Sequence, residues 1–273
     1  GAWKNTAAGR GATISMEDAD GRLPEAYGFF QSCHLEDLPS NQVIAQVTRD
    51  RAMRRIGSGP TESGRYPLLL TNHAAGRLLG ILLGPMGGHA IYEGRSCLKD
   101  RLHTQIGAKG LALLDRPHIP RGLGSRPYDG DGRPTQDRAL IEDGKLNTYL
   151  LDVYNARRLK QAPTTGGTSN LVVPPGERTP QAILNGLPKA IEVEGFLGGN
   201  ANAVTGDFSF GIHGTLFEHG DSTKRLSEMN ISGNIFEVLE RWLESANDPY
   251  RYSSWRTPAM LFDGVQFSGT AGG

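Results

Sequence analysis

Histidine, cysteine, serine and acidic side chains are the groups that could carry chemistry in this chain, and their spacing decides which chemistry is open. The seven histidines stand at 34, 73, 89, 103, 118, 213 and 219. None belongs to an H-E-x-x-H pattern, and no two share a helix face at i, i+4, the arrangement that lets two imidazoles hold one zinc ion. Cys33 adjoins His34 and Cys97 lies near His103, but neither pair has the second half that a zinc site requires. His213 and His219 flank a segment that reads as a hairpin strand; they could be ligands, and loop-exposed histidines are the preferred reading.

A nucleophile elbow, G-x-S-x-G, is absent. Gly206-Asp207-Phe208-Ser209-Phe210-Gly211 comes nearest, but its serine is offset and the segment alternates, with Phe208 and Phe210 on one side and Asp207 and Ser209 on the other. A strand with one apolar face is preferred; a hydrolase built on His213, Asp207 and Ser209 is its rival. Thr164-Thr165-Gly166-Gly167-Thr168-Ser169-Asn170 could cradle an anion with backbone N–H groups, although no helix clearly follows and no lysine is placed like that of a P-loop.

The elements that must position these groups read as follows. Residues 1–30 are extended, with an acidic turn at Glu17-Asp18-Ala19-Asp20-Gly21. A helix runs from about Ser40, its N-cap, to Ile56, with Val43, Ile44, Val47 and Met53 on one face and Gly57 as its stop. Arg49, Arg51, Arg54 and Arg55 occupy the other face, which could bind an anion but is read as solvated. Tyr66–Leu70 is a short strand, His73–Leu83 a buried helix ended by Gly84-Pro85, and Leu111–Leu114 a buried strand. Glu142-Asp143-Gly144-Lys145 reads as the turn of a hairpin, as do Glu218-His219-Gly220-Asp221 and Asp263-Gly264. A last helix is expected over about Asn234–Ser245, where Ile235, Val238, Leu239, Trp242 and Leu243 fall at helical spacing. The sum is an α+β fold: mainly antiparallel strands and hairpins with a few packing helices.

Composition narrows the function classes. The chain has 273 residues, of which 37 are Gly and 16 Pro, without a collagen period. Its 29 basic and 29 acidic residues cancel, whereas a nucleic-acid binder carries a basic excess. No apolar run approaches the length of a membrane span. Two cysteines are too few for a secreted disulfide framework, so a cytoplasmic setting is expected.

The order of the segments is more specific than any one of them. Gly94-Arg95-Ser96-Cys97-Leu98 is followed by Pro120-Arg121-Gly122-Leu123-Gly124-Ser125-Arg126-Pro127-Tyr128-Asp129. The hairpin Leu140–Asp152 then leads into Asn155-Ala156-Arg157-Arg158-Leu159. Thr165-Gly166, Asn170-Leu171, Pro175-Gly176, Val204-Thr205-Gly206-Asp207-Phe208-Ser209, Ile231-Ser232-Gly233-Asn234, Asn247-Asp248 and Thr257-Pro258 continue the series. Together they resemble the TldD/PmbA family over roughly Thr13–Gly269. The resemblance implies a TldD/PmbA C-terminal-type domain. Over residues 1–273 the chain reads as a single such region, with the family's usual N-terminal domain expected to be absent.

The catalytic members carry H-E-x-x-x-H on a buried helix and a late cysteine. Here Leu78-Leu79 is followed by Gly80 where the first His belongs, Ile81 where the Glu belongs, and Pro85 where the second His belongs; Tyr250–Trp255 fills the region of the cysteine. The resemblance is therefore to the metal-free TldE/PmbA kind, with no catalytic residues and no cofactor of its own. It implies a non-catalytic subunit that joins a TldD-type H-E-x-x-x-H partner, which would hold the zinc, to process unfolded peptides. A stand-alone peptide-binding or scaffolding protein, homodimeric if alone, is the alternative. Neither nucleic acid nor membrane is an expected partner. Thr165, Gly166, Asn170, Gly206, Asp207, Phe208 and Ser209 are the positions nominated for peptide or interface contact, with open strand edges as the means of holding a peptide.

Overall fold

Alternation near the start of the chain produces a hairpin, β1 (Ala8–Ser15) with β2 (Glu25–Ser32), in antiparallel register from Ala8↔Ser32 to Ser15↔Glu25. The computed structural model describes residues 2–19 and 21–269, so Asp20 of the acidic turn lies outside the described residues. Asp18, almost fully buried, closes that turn: its carboxylate accepts from the backbone N–H groups of Ala19 at 2.7 Å and Gly57 at 2.8 Å. Helix α1 (Asn41–Met53) lies across the hairpin, and Ser40 caps it by accepting from Val43 N–H. Its buried residues are Ile44, Thr48 and Ala52. Thr48 sits so close to Gly28 that a Cβ there would meet its Oγ1 at 2.4 Å. The expected apolar face is thus corrected: Val43 and Met53 are exposed, because the hairpin meets the helix one step around.

The main sheet has the order β10 (Asp221–Asn234), β9 (Asp207–Glu218), β8 (Lys189–Ala201), β3 (Gly64–Leu70), β13 (Met260–Ser268) and β11 (Trp242–Ser245). Leu68, Leu69 and Leu70 are all fully buried because β3 is covered on both faces: Leu68 and Leu70 enter the large core, Leu69 a smaller one with Ile183, Leu184 and Leu261. β3 and β8 run parallel, which demands a long crossover. That crossover, residues 71–188, carries α2 (Asn72–Gly80), α3 (Leu83–Met86), α4 (Gly88–Tyr92), α5 (Val153–Leu159) and α6 (Pro180–Asn185). It also supplies β4 (Leu113–Asp115), β5 (Arg138–Glu142), β6 (Lys145–Leu146) and β7 (Leu171–Val172), which with β12 (Trp255–Arg256) make a second sheet. The fold is α+β, as expected.

Three expectations are corrected by partners that the local sequence does not reveal. The last helix, α7 (Ile235–Glu240), is short; Trp242–Ser245 is captured as β11 by pairing with Met260–Phe262. Asp263-Gly264 is not a hairpin turn but a bulge inside β13, where the pairing with β3 shifts between Phe262 and Val265. The long hairpins also leave fewer open edges than expected, because Asn230–Ser232 of β10 pair with Gln266–Ser268 of β13 and close five strands into a ring. The turn at His219-Gly220 is as expected, both residues adopting positive φ between β9 and β10.

Candidate functional site

Of the α1 face that reads as solvated, Arg49 is exposed as expected, but Arg51, Arg54 and Arg55 line a cleft of about 690 Å³ between the β1–β2 hairpin and the main sheet. Arg51 donates to the Tyr27 carbonyl at 3.0 Å and to His73 Nε2 at 2.6 Å. One turn on, Arg55 donates to the Glu25 carbonyl and, at 2.9 Å, to His213 Nε2. Arg54 pairs with Glu194 at 3.1 Å. Tyr250 donates to the Phe29 carbonyl at 3.3 Å and packs its ring against His73, centroids 4.0 Å apart. Arginines 51 and 55 and Tyr250 thus meet the carbonyls of alternate residues Glu25, Tyr27 and Phe29. In an antiparallel pair alternate residues turn both backbone groups away from the partner strand, so the outer edge of β2 faces this cleft. Tyr27 and Phe29, both more than half exposed, stand beside it.

Burial sets the charge states. His73 and His213 are each lowered to about 4, by desolvation first and then by the neighbouring arginines. Both are neutral acceptors at physiological pH. Glu192 is raised to about 7, by desolvation and then by the charge of Glu194, against the opposing pull of Arg54 and Arg225. Burial also raises Asp248 and brings Tyr250 to about 12. Arg51 and Arg55 are lowered, again by desolvation first.

The cleft opens into a second hollow along α2, sharing Asn72, His73, Tyr250 and Ser253 with it. Gly76, Gly80, Phe210 and Trp255 line this part. Trp255 lies flat against the helix: a Cβ on Gly76 would come within 3.1 Å of its Cβ. Gly80, Ile81 and Pro85 offer no side-chain donor to a metal, and among the described residues no three His, Cys, Asp or Glu side chains are placed to share an ion. The residues present do not fit a zinc centre.

The nominated positions fall in two separate places. Around Thr165 the segment meets both partners of a buried ion pair: its carbonyls face Arg138, and the Ser169 N–H donates to the Asp115 carboxylate at 2.7 Å. Arg138 donates to the carbonyls of Thr164, Thr165 and Gly167 while pairing with buried Asp115 at 3.0 Å. The segment therefore closes around the chain's own Arg138–Asp115 pair, which corrects the reading of a cradle free to take an anion. Gly166 sits against Asp152, 2.8 Å from its own notional Cβ to that side chain. Asn170 is fully buried and ties Gly124, Arg116 and Ser125 together. At the other place, Gly206 takes a positive φ and Asp207 accepts from Thr205 at 2.6 Å and Asn234 at 2.9 Å, while Asn234 caps α7. Those two bonds, Thr205 first, hold the exposed Asp207 carboxyl below its usual range. Phe208 is buried as expected, and Asp207 and Ser209 are exposed.

His213 is not a loop residue: it lies within β9, paired with Gly195. Ser209 precedes it by four strand residues, about 13 Å along β9, and the His213 ring is bound to Arg55. The hydrolase reading built on His213, Asp207 and Ser209 has no geometry to support it. The cleft residues themselves, His73, Glu192, Glu194 and Tyr250, are absent from the sequence-based nominations. One signal was available: Ile191-Glu192-Val193-Glu194 puts two acids on one side of a strand whose other side is apolar.

The model of the PmbA/TldA metallopeptidase C-terminal domain matches residues 63–269. The chain belongs to this family. It is 29% identical over 259 residues to a metalloprotease PmbA homolog of Haemophilus influenzae, covering 93% of this chain and 56% of the relative. With metalloprotease PmbA of Escherichia coli O157:H7 it shares 26% identity over 256 residues, covering 93% and 57%. The chain thus spans just over half the length of these curated relatives. A crystal structure from Bacteroides thetaiotaomicron, of a candidate modulator of DNA gyrase, superposes with a TM-score of 0.93 at 36% identity, covering 97% of this chain and 60% of that one. TldE from Thermococcus kodakarensis, at 22% identity and a TM-score of 0.86, shares the fold over 96% of this chain and 63% of its own. No helix among the described residues is long and apolar enough to cross a membrane.

Proposed function

We propose that this chain is a non-catalytic subunit of a TldD/TldE-type zinc metallopeptidase complex that processes unfolded peptides in the cytoplasm. The observation that carries this reading is helix α2, where Gly80 and Ile81 stand in place of metal-binding and general-base side chains, and Trp255 packs on the same helix at Gly76. In the complex, an H-E-x-x-x-H partner holds the zinc, polarises the scissile carbonyl and supplies the base. This chain supplies a cleft whose wall is the outer edge of β2, where an extended peptide adds as a strand through main-chain hydrogen bonds that demand no particular sequence. Asp207 and Ser209, exposed at the far end of β9, remain the nominated interface positions.

The metalloprotease names of the bacterial PmbA relatives and the TldE name of the archaeal structure support this reading. A stand-alone peptide-binding protein is the second reading, favoured by a cleft formed from this chain alone. Co-expression with an H-E-x-x-x-H relative, followed by size-exclusion chromatography, metal analysis and digestion of an unfolded peptide, separates the two. The subunit reading expects a stable complex burying more than ~1,000 Å², zinc bound only through the partner, and cleavage only by the mixture. Independent elution of the two chains at micromolar concentration overturns it.

A further inference from the structure

The cleft holds buried donors that have no acceptor among the described residues. Arg55 is a permanent donor, so His213 Nε2 must accept from it and the ring proton must sit on Nδ1. That Nδ1–H is buried and has no partner among the described residues. The ring packs on Gly195, where a Cβ would meet its Cε1 at 2.4 Å. Thr71, at the start of α2, lines the same cleft with its hydroxyl buried and unpaired. Arg51 and Arg55 each commit only two of their five N–H groups. On the acceptor side, Glu194 is engaged by Arg54 and Thr215, Asp248 accepts from the Ala259 N–H at 2.9 Å, and Glu192, raised to about 7, holds its proton below that pH.

We propose that the Arg51–Arg55–His213 corner of the cleft binds the terminal carboxylate of an extended peptide laid against β2. This rests on the reading that the cleft receives peptides. A carboxylate brings two oxygens and several lone pairs, and charge-assisted bonds from two guanidiniums and an imidazole N–H suit it. The edge of β2 places the peptide's end here. The Glu25 and Tyr27 carbonyls are already taken by Arg55 and Arg51. Among the described residues the Phe29 carbonyl is met only by the Tyr250 side chain at 3.3 Å, longer than an ordinary O–H···O bond. Strand pairing can therefore proceed at Phe29 and Gln31 but stops at the arginines, where the chain's end meets the surplus donors.

Fluorescence anisotropy with a short, labelled, unstructured peptide tests this on the unmodified chain. The peptide is compared as free acid, as C-terminal amide, and as an amide with aspartate in the last position. The expected result is about tenfold tighter binding of the free acid than of either amide, the effect of one good charge-assisted contact. His213→Phe, which keeps a ring over Gly195 but removes the N–H, should shrink that preference several-fold. Equal binding of acid and plain amide overturns the carboxylate site while leaving the peptide-cleft reading intact. Tight binding of the aspartate amide overturns the assignment to the terminus. No binding of any form, alone or with the H-E-x-x-x-H partner present, overturns the peptide-cleft reading and this inference with it.

Discussion

Replacing Glu192 with Gln should stabilise this protein at alkaline pH and leave it unchanged in acid. Glu192 projects from β8 on the side opposite the buried Ile191 and Val193, into the cleft with Glu194, Asp248, Arg54 and Arg225 around it. Its carboxyl titrates at about 7 rather than 4.5. Between those values the folded state holds a proton that the unfolded chain has released, so stability falls as pH rises through the window and is level above it. At roughly 1.4 kcal/mol per pH unit, ionisation costs the fold about 3 kcal/mol. Gln keeps the shape and has no proton to lose. His73 and His213, lowered to about 4, act in the opposite sense, their contribution being lost as pH falls from 6.5. They are common to both proteins and cancel in the comparison. Urea denaturation of parent and variant should show a difference near zero at about pH 4 that grows to about 3 kcal/mol near pH 8. In thermal melts this is roughly 6–12 °C for a protein of this size. A difference that stays constant with pH, or a variant less stable at pH 8, would refute the argument that Glu192 is ionised against its surroundings.

Phe208→Ala should lose about 3–5 kcal/mol in chemical denaturation, since its ring is buried and stacked on Phe210, whereas exposed Ser209→Ala should stay within about 0.5 kcal/mol. Arg138→Met strands the Asp115 carboxylate, which is 3% exposed, and should cost about 3–5 kcal/mol; limited proteolysis should then cut near Thr165 before the rest of the chain opens. Gly76→Ala would set a Cβ 3.1 Å from Trp255, which must give by a few tenths of an ångström. The overpacking, about 1–3 kcal/mol, outweighs the gain of about 1 kcal/mol in helix propensity, so a small net loss in thermal melts and a shift in tryptophan emission are expected; a more stable variant with an unchanged spectrum would show that the contact is slack.

Legibility differed between fold and site for a physical reason. Ser40 as a cap, the alternation through Phe208 and Phe210, and the turn at His219-Gly220 are local, and each is where the sequence puts it. Trp242 has helical spacing, but its strand is imposed by Phe262, a partner distant in sequence. The same holds for the cleft. Arg51 and Arg55 look solvated on a helix taken by itself, and only the placement of β2, β8 and β9 turns them toward His73 and His213. Asn170 was nominated from family order, yet its side chain is spent on holding three loop segments together. A short motif does not show whether its polar groups face a ligand or the protein itself.

The last strand has a consequence for how the molecule comes to exist. β13 pairs with β3 along one side and with both β11 and β10 along the other. Neither the ring nor the cleft wall it braces can be complete until this strand is available, although β3 precedes it by some 190 residues or more. Early hairpins such as β9–β10 form quickly, but native closure waits on contacts of very large sequence separation, placing the domain among slow folders, on the order of milliseconds to seconds or longer. Until then the β10 edge stands open and able to pair with another chain. Refolding should therefore be strongly concentration-dependent, with dilution favouring the monomeric ring over association through that edge.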